Sequence, residues 1–349
     1  MNLVFQKVGI IGSGKMGTDL FYYLNLFDLD LIWVCHPSEN PEELKAYFIK
    51  KIKRQLKFDL ISSSSYEKRI NSTIITSDLN SLSNCELIIE AIWENTISKI
   101  ALFERLNLVT NSQTIIASNS SSILPSILNE KYKFPEKLVG LHFFYPIGMR
   151  NIVEIIQGEK KDPQINSKMQ AFCFQIKRDS ILLEQKNAFM LNKIALEIQN
   201  EAFKIQQEND LSYYELDAIL KTVFPIGVFD FFDSVGIDVM HSSIEQYSHQ
   251  LKTEKYTDLL ALLKKHINDG NLGQKTNKGF YQYPIDNNVN TPYENVELEK
   301  TITNRIISSY ICASSYYIEN YPIKKDELNK ALKEYFGMEK GPFDMINII

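Results

Sequence analysis

The chain has 349 residues, of which 44% are hydrophobic and 23% charged, so it can bury a substantial core and divide into two or three domains. Its formal net charge of -5 gives no electrostatic reason to expect a nucleic-acid partner. The cysteines, Cys35, Cys85, Cys173 and Cys312, are widely separated and form neither a paired metal-ligand spacing nor a disulfide framework, a pattern that fits a reducing compartment, with the cytoplasm as the default.

The opening MNLVFQKVGIIGSGKMG runs from a strand-like apolar segment straight into a glycine-rich turn, which leaves no room for a signal peptide. No apolar run approaches the ~20 residues that span a bilayer, so no membrane partner is expected. Up to about residue 184, short apolar runs alternate with helix-period stretches. VGII (8–11), LIWV (31–34), TII (73–75), LIIEAI (87–92), TIIAS (114–118), LVGLHF (138–143), NIVEII (151–156) and SILLE (180–184) read as strands. Helical patterns fall between most of them, at about 15–27, 41–57, 96–108 and 122–129. The alternation predicts an α/β domain over 1–184, Rossmann-like, with a doubly wound, mainly parallel sheet.

From Asn187 the pattern changes to long amphipathic stretches such as AFMLNKIALEIQNEAFKIQQ, with almost no strand signal until GFYQY (279–283). An all-α domain is expected over 185–286. The polar stretch PIDNNVNTPYENVE (284–297) reads as a linker, and the chain then repeats itself. NRIISSYICASS (304–315) aligns with NKIALEIQNEAF (192–203), and the same offset brings ELNKAL (327–332) onto ELDAIL (215–220) and Phe336 onto Phe224. Two extra residues bring GPFDMI (341–346) onto GVFDFF (227–232). The segment 287–349 is therefore expected to be a linker followed by a partial repeat of the helical domain.

Gly12-Ser13-Gly14-Lys15-Met16-Gly17 follows a predicted strand and opens a predicted helix. There, glycines permit a tight turn, close approach of a pyrophosphate and close helix–sheet packing, while the helix N-terminus attracts negative charge. A dinucleotide is the expected cofactor, the alternative being a tight strand–helix turn without ligand. An acid about 20 residues on usually binds the ribose hydroxyls. Here the second strand ends in Cys35-His36-Pro37-Ser38, and no arginine nearby is placed to receive the phosphate of NADP. Weak discrimination between NAD and NADP is therefore expected.

His142 closes one predicted strand and Glu154 sits within the next, among Ile152, Val153, Ile155 and Ile156. A carboxylate in such a run costs several kcal/mol if desolvated and unpaired, so it should face a partner. If the loop between them returns the chain alongside, Glu154 holds one imidazole nitrogen protonated and raises the basicity of the other, as a general base requires. A satisfied core histidine beside an edge-strand glutamate fits the same spacing.

GSGKMG, EAIWEN, SNSSS, HFFYP, IVEII, the Asn and Lys of AFMLNK, PIGVFDFFDSVGID and LGQKTNKGFY occur in the order and approximate spacing of the L-3-hydroxyacyl-CoA dehydrogenase family, which the chain resembles over essentially its whole length. That resemblance implies a Rossmann domain joined to a helical domain, duplicated in some members. It implies NAD-dependent oxidation of the 3-hydroxyl of an acyl-CoA, or the reverse reduction, in fatty-acid metabolism. It implies that His142 is the catalytic base, Glu154 its orienting carboxylate, and Ser121 and Asn192 contacts to the substrate oxygen. It also implies that Glu94, Lys99 and Lys275 line the cofactor site, together with Gly12, Gly14, Met16, Gly17, Ser121 and Tyr145. By residue type alone, Ser121 fits a helix N-cap, Asn192 a solvent-facing helix position, and Glu94, Lys99 and Lys275 solvated charges.

The chain departs from the family at three points. Tyr145 replaces the asparagine of HFFNP, Gln185-Lys186-Asn187-Ala188-Phe189 replaces D-S-P-G-F, and the ribose acid is missing. Lys50, Lys51, Lys53, Arg54 and Lys57 lie where the family's CoA-contacting helix lies, and fit a solvated helix face equally. An acyl-carrier-protein-bound substrate, a non-thioester hydroxy acid and a non-catalytic scaffold stay open. So do a monomer and a homodimer, the repeat being expected to cover apolar helix faces that a partner subunit would otherwise cover.

Overall fold

Apolar runs bounded by turn residues form the eight strands of one sheet in a computed structural model that describes residues 3–158, 160, 162–284 and 295–347. β1 (Lys7–Ile11), β2 (Asp30–Val34), β3 (Thr73–Thr76), β4 (Leu87–Glu90), β5 (Ile115–Ser118) and β6 (Leu138–Phe143) are parallel; β7 (Ile152–Ile156) and β8 (Asp179–Leu183) run the opposite way. The spatial order is β3-β2-β1-β4-β5-β6-β7-β8, the doubly wound arrangement expected. β4 and β6 are buried along their whole length, which is why they read as unbroken apolar runs rather than alternating ones.

Both faces are covered by helices α1 (Lys15–Leu24), α2 (Pro41–Lys57), α3 (Ser63–Asn71), α4 (Thr96–Leu106), α5 (Pro125–Leu128) and α6 (Pro163–Gln175). Along β2, Leu31 and Trp33 join one core with Phe21, Phe48 and Phe172, and Ile32 and Val34 join another with Phe103, Leu106 and Leu128. Strand β4 stops at Glu90, two residues before the apolar run does, because the Glu90 side chain accepts from the backbone of Ile92 at 2.8 Å and turns the chain. α3 and α6 had no counterpart in the sequence pattern.

The chain divides into two compact units, Met1–Ala188 and Phe189–Ile349. The second contains α7 (Met190–Asn209), α8 (Tyr213–Leu220), α9 (Val228–Val235), α10 (Ile237–Leu251), α11 (Thr257–Asn268), α12 (Val296–Asn320) and α13 (Lys325–Phe336). GFYQY forms no strand and makes a single isolated bridge, Gln282 with Lys278; the backbone N–H groups of Phe280 and Tyr281 donate to the buried Asp233 carboxylate, each at 2.9 Å. Residues 285–294 of the expected linker lie outside the described residues.

The order long helix, short helix, Gly-x-Phe-Asp turn occurs twice in this unit. Asp217 on α8 accepts from the backbone of Phe229 at 3.2 Å and of Asp230 at 2.8 Å, and Asn329 on α13 accepts from Phe343 at 3.1 Å. α12 packs along α7. Phe224, Tyr310 and Phe336 meet with ring centroids 5.2 to 5.8 Å apart, and Arg305 pairs with Glu201 at 2.5 Å and with Glu208. No helix among the described residues is long and apolar enough to cross a membrane.

Candidate active site

The glycine-rich turn stands at the carboxyl end of β1. Gly12 has φ +118, and a Cβ there would lie 2.4 Å from the carbonyl oxygen of Ala91. A Cβ on Gly17 would lie 2.2 Å from the carbonyl oxygen of Gly12, so α1 can approach the strand only through glycine. At Gly14 a Cβ would meet nothing within 4 Å, and Gly14 caps α1 without a side chain. Two crowded glycines thus shape a turn whose middle glycine faces open space at a helix N-terminus, a cradle that fits a pyrophosphate. Trp33 braces it by donating its indole N–H to Gly12 O at 2.7 Å. Met16 packs half-buried against the core of the unit, and the Lys15 ammonium lies 4.2 Å from the ring centroid of Tyr145, itself 48% exposed. At the end of β2, Cys35 is 2% exposed, and burial, then the nearby Glu39 carboxylate, push its thiol up.

A second cluster joins the ends of β4 and β5. Lys99, 1% exposed, reaches Glu90 at 2.5 Å and Glu94 at 3.3 Å. Glu90, fully buried, also accepts from the hydroxyl of Ser118 at 2.6 Å. Glu94 gathers the loop that follows β5, accepting from the hydroxyls of Ser120 at 2.5 Å and Ser122 at 2.8 Å and from the backbone of Ser121 at 2.9 Å and Ser122 at 3.0 Å. Burial pushes Glu94 up, but the Lys99 charge and the two hydroxyls outweigh it and hold the carboxyl below its ordinary range. Burial likewise opposes the charge on Lys99, and the two glutamates overcome it and raise the ammonium above its ordinary value. Ser121 is thereby fixed by its backbone, with its hydroxyl also donating to Glu94 at 3.4 Å, rather than acting as a helix cap. Glu90 is a site residue that sequence reasoning missed.

His142 and Glu154 face each other across the antiparallel pair β6 and β7, in register. Nδ1 of His142 lies 2.8 Å from Oε2 of Glu154, and both side chains are buried. The carboxylate inside the apolar run therefore has the partner its burial demands. Asn119, beside the serine loop, accepts from the backbone N–H of Phe143 at 2.9 Å, so one residue links the Ser120–Ser122 loop to the strand end that carries His142. The loop after Tyr145 is held to α1 by Asp19, which accepts from the backbone of Ile147 at 2.7 Å. On α2, Lys50, Lys51, Lys53, Arg54 and Lys57 are all exposed, and Lys51 lies 3.6 Å from the ring centroid of Tyr22.

The remaining two candidates belong to the second unit. Asn192, in the first turn of α7, donates its amide N–H to the Tyr247 hydroxyl at 2.9 Å and accepts from the Tyr335 hydroxyl at 3.1 Å. It is half-buried and fixed at both ends of its amide. Lys275 pairs with Asp238.

Residues 7–186 match the family model for the NAD binding domain of 3-hydroxyacyl-CoA dehydrogenase, and residues 189–283 match the one for its C-terminal domain. A 3-hydroxybutyryl-CoA dehydrogenase of Bradyrhizobium diazoefficiens is 28% identical over 285 residues, covering 81% of this chain and 97% of its own. A probable 3-hydroxybutyryl-CoA dehydrogenase of Bacillus subtilis is 26% identical over 291 residues, covering 80% and 97%. Among solved structures, the 3-hydroxybutyryl-CoA dehydrogenase of Escherichia coli shares the fold with a TM-score of 0.85 at 17% identity, over 98% of this chain and 90% of its own. The (S)-3-hydroxybutyryl-CoA dehydrogenase of Ralstonia eutropha reaches 0.73 at 25% identity, over 80% and 100%. With both family domains matched in order, the chain belongs to the 3-hydroxyacyl-CoA dehydrogenase family, the NAD-dependent oxidoreductases of 3-hydroxyacyl-CoA.

Proposed function

We propose that this chain interconverts the C3 hydroxyl and keto groups of a short 3-hydroxyacyl-CoA, with His142 as the base. The observation that carries the proposal is the buried pair of His142 and Glu154 at 2.8 Å. Glu154 holds the proton on Nδ1, which assigns proton transfer with the substrate hydroxyl to Nε2 and stabilises the imidazolium that forms. NAD, when bound, supplies the hydride acceptor. The Ser121 hydroxyl, on a loop whose backbone is anchored to Glu94, positions the substrate oxygen. Asn192 shares that task, its amide held by Tyr247 and Tyr335. Gly12, Gly14 and Gly17 hold the pyrophosphate, with Met16, Glu94, Lys99, Tyr145 and Lys275 in the further cofactor-lining roles that the family resemblance gives them. Support for a short acyl chain comes from the 3-hydroxybutyryl-CoA named for the relatives.

The test is His142→Ala, assayed with acetoacetyl-CoA and with longer 3-ketoacyl thioesters, carrier-bound and free. Turnover should fall by roughly two orders of magnitude or more while NADH affinity stays within a factor of about two. Near-normal turnover would remove His142 from the mechanism.

A further inference from the structure

The end of β2 carries an acid after all, though not in the strand. After Cys35 the chain folds into a short turn in which the backbone N–H of Glu39 donates to His36 O at 2.9 Å. His36 Nδ1 lies 2.7 Å from the Ser38 hydroxyl, and Asn40 then caps α2 by accepting from the backbone of Glu42 at 3.1 Å. This turn brings the half-buried Glu39 side chain back onto the glycine-rich loop. Its Oε2 accepts from the hydroxyl of Ser13, the residue between Gly12 and Gly14, and from the backbone N–H of His36 at 3.0 Å. Its Oε1 accepts no hydrogen bond from the described residues.

We propose that Glu39 is the ribose-binding carboxylate of this chain and the residue that selects NAD over NADP. The 2′- and 3′-hydroxyls of the adenosine ribose are donors, and the structure offers them a carboxylate hydrogen-bonded to Ser13 inside the pyrophosphate cradle, with one oxygen already fixed by Ser13 and His36. A 2′-phosphate would meet that same charge. Residues 35–40 contain no lysine or arginine to offset it, and the first turn of α2 adds Glu42 and Glu43. Glu39 thus sets a negative charge at the end of β2, consistent with the upward push it exerts on the Cys35 thiol. Cys35, buried beneath, is a packing residue. The inference rests on the family's use of a nicotinamide dinucleotide and concerns which residue reads its ribose.

The experiment is equilibrium titration of the full chain with NADH and with NADPH, followed by quenching of tryptophan fluorescence, for which Trp33 lies directly under the turn. The parent chain should prefer NADH. Glu39→Gln should weaken NADH binding by roughly 10- to 100-fold, the scale of a charge-assisted hydrogen-bond pair, and leave NADPH binding equal or tighter, so that the affinity ratio collapses. Cys35→Asp, with Glu39 in place, should change the ratio by less than about threefold, since the ribose already has its acceptor. The ratio is independent of the folded fraction, so partial unfolding does not obscure it. Should Glu39→Gln not fold, Glu39→Asp, which withdraws the charge by one methylene, should lower the ratio by a smaller factor. An unchanged ratio in the Gln variant, or in the Asp variant where that one is used, overturns the proposal while leaving the cofactor assignment intact. A parent chain that binds neither nucleotide overturns the cofactor assignment itself, and the proposal with it.

Discussion

Glu154→Gln preserves the shape of the buried partner of His142 and removes its charge. The two groups lie 2.8 Å apart with side-chain exposures of 5% and 0%, so little water screens them. Opposite unit charges whose centres are about 4 Å apart interact by about 4 kcal/mol at an effective dielectric of ~20. Glutamine can still accept from Nδ1–H through its amide oxygen, so roughly half of that interaction with the imidazolium survives. The transition state then loses about 2 kcal/mol, which is about 30-fold in turnover. The assay is the initial rate of acetoacetyl-CoA reduction by NADH and of the reverse oxidation across pH. The neutral amide stabilises the protonated ring less, so turnover should fall with KM for NADH unchanged. Turnover above one third of the parent value would refute Glu154 as the orienting group.

Lys99→Met leaves the carboxylates of Glu90 and Glu94 unneutralised, one of them fully buried, and should destabilise the chain by about 3–5 kcal/mol, read as a fall in melting temperature. Adding Glu90→Gln should recover part of the loss. Glu94 sits below its ordinary 4.5, so its contribution is complete above that pH and lost as pH falls through its lower folded value; Lys99 sits above its ordinary 10.5, so its contribution is complete below that pH and lost on rising through its higher folded value. The parent should therefore keep this contribution from pH 4.5 to 10.5 and lose it outside that window, while in Lys99→Met, whose carboxylates have lost the charge that holds them low, the gap in melting temperature to the parent should already narrow as pH falls toward 4.5. Truncation after residue 286 removes α12 and α13 and uncovers Phe224 and the α7 face, so light scattering should show self-association and the melting temperature should fall. A truncated chain that stays monomeric with unchanged melting temperature would show that the repeat covers nothing important.

The sheet was legible because its central strands are buried on both faces and read as plain apolar runs. α3 was hidden by its serines: SSSYEKRIN carries no apolar stripe, and the helix is fixed by the Ser62 cap and by buried Arg69, which donates to Asn25 O at 2.7 Å. α6 was hidden because its buried face includes Asn166 as well as Met169 and Phe172. At the site, the reasoning that paired Glu154 with a partner applies equally to Glu90, a carboxylate inside LIIEAI; the difference is that its partner Lys99 lies on a helix whose charges read as solvated. Glu39 left no local signal, since its position depends on how the turn after β2 folds back on Ser13. Asp217 and Asp233 accept backbone N–H groups from segments far along the chain, and nothing in a helix pattern announces that.

A symmetric homodimer carries every mutation twice, whereas two fused copies of one fold are free to divide their labour. Asp217 serves two backbone donors and also the Tyr281 hydroxyl at 2.6 Å and is an acid; Asn329, at the matching place in the proposed repeat, accepts from Phe343 and is an amide. Tyr335 reaches a candidate site residue. It lies in the copy that holds none of the proposed catalytic residues, yet its hydroxyl donates to Asn192, the residue proposed to position the substrate oxygen. On the role proposed for Asn192, the C-terminal segment does more than cover an apolar face: a change at Tyr335 should register in turnover before it registers in the melting temperature.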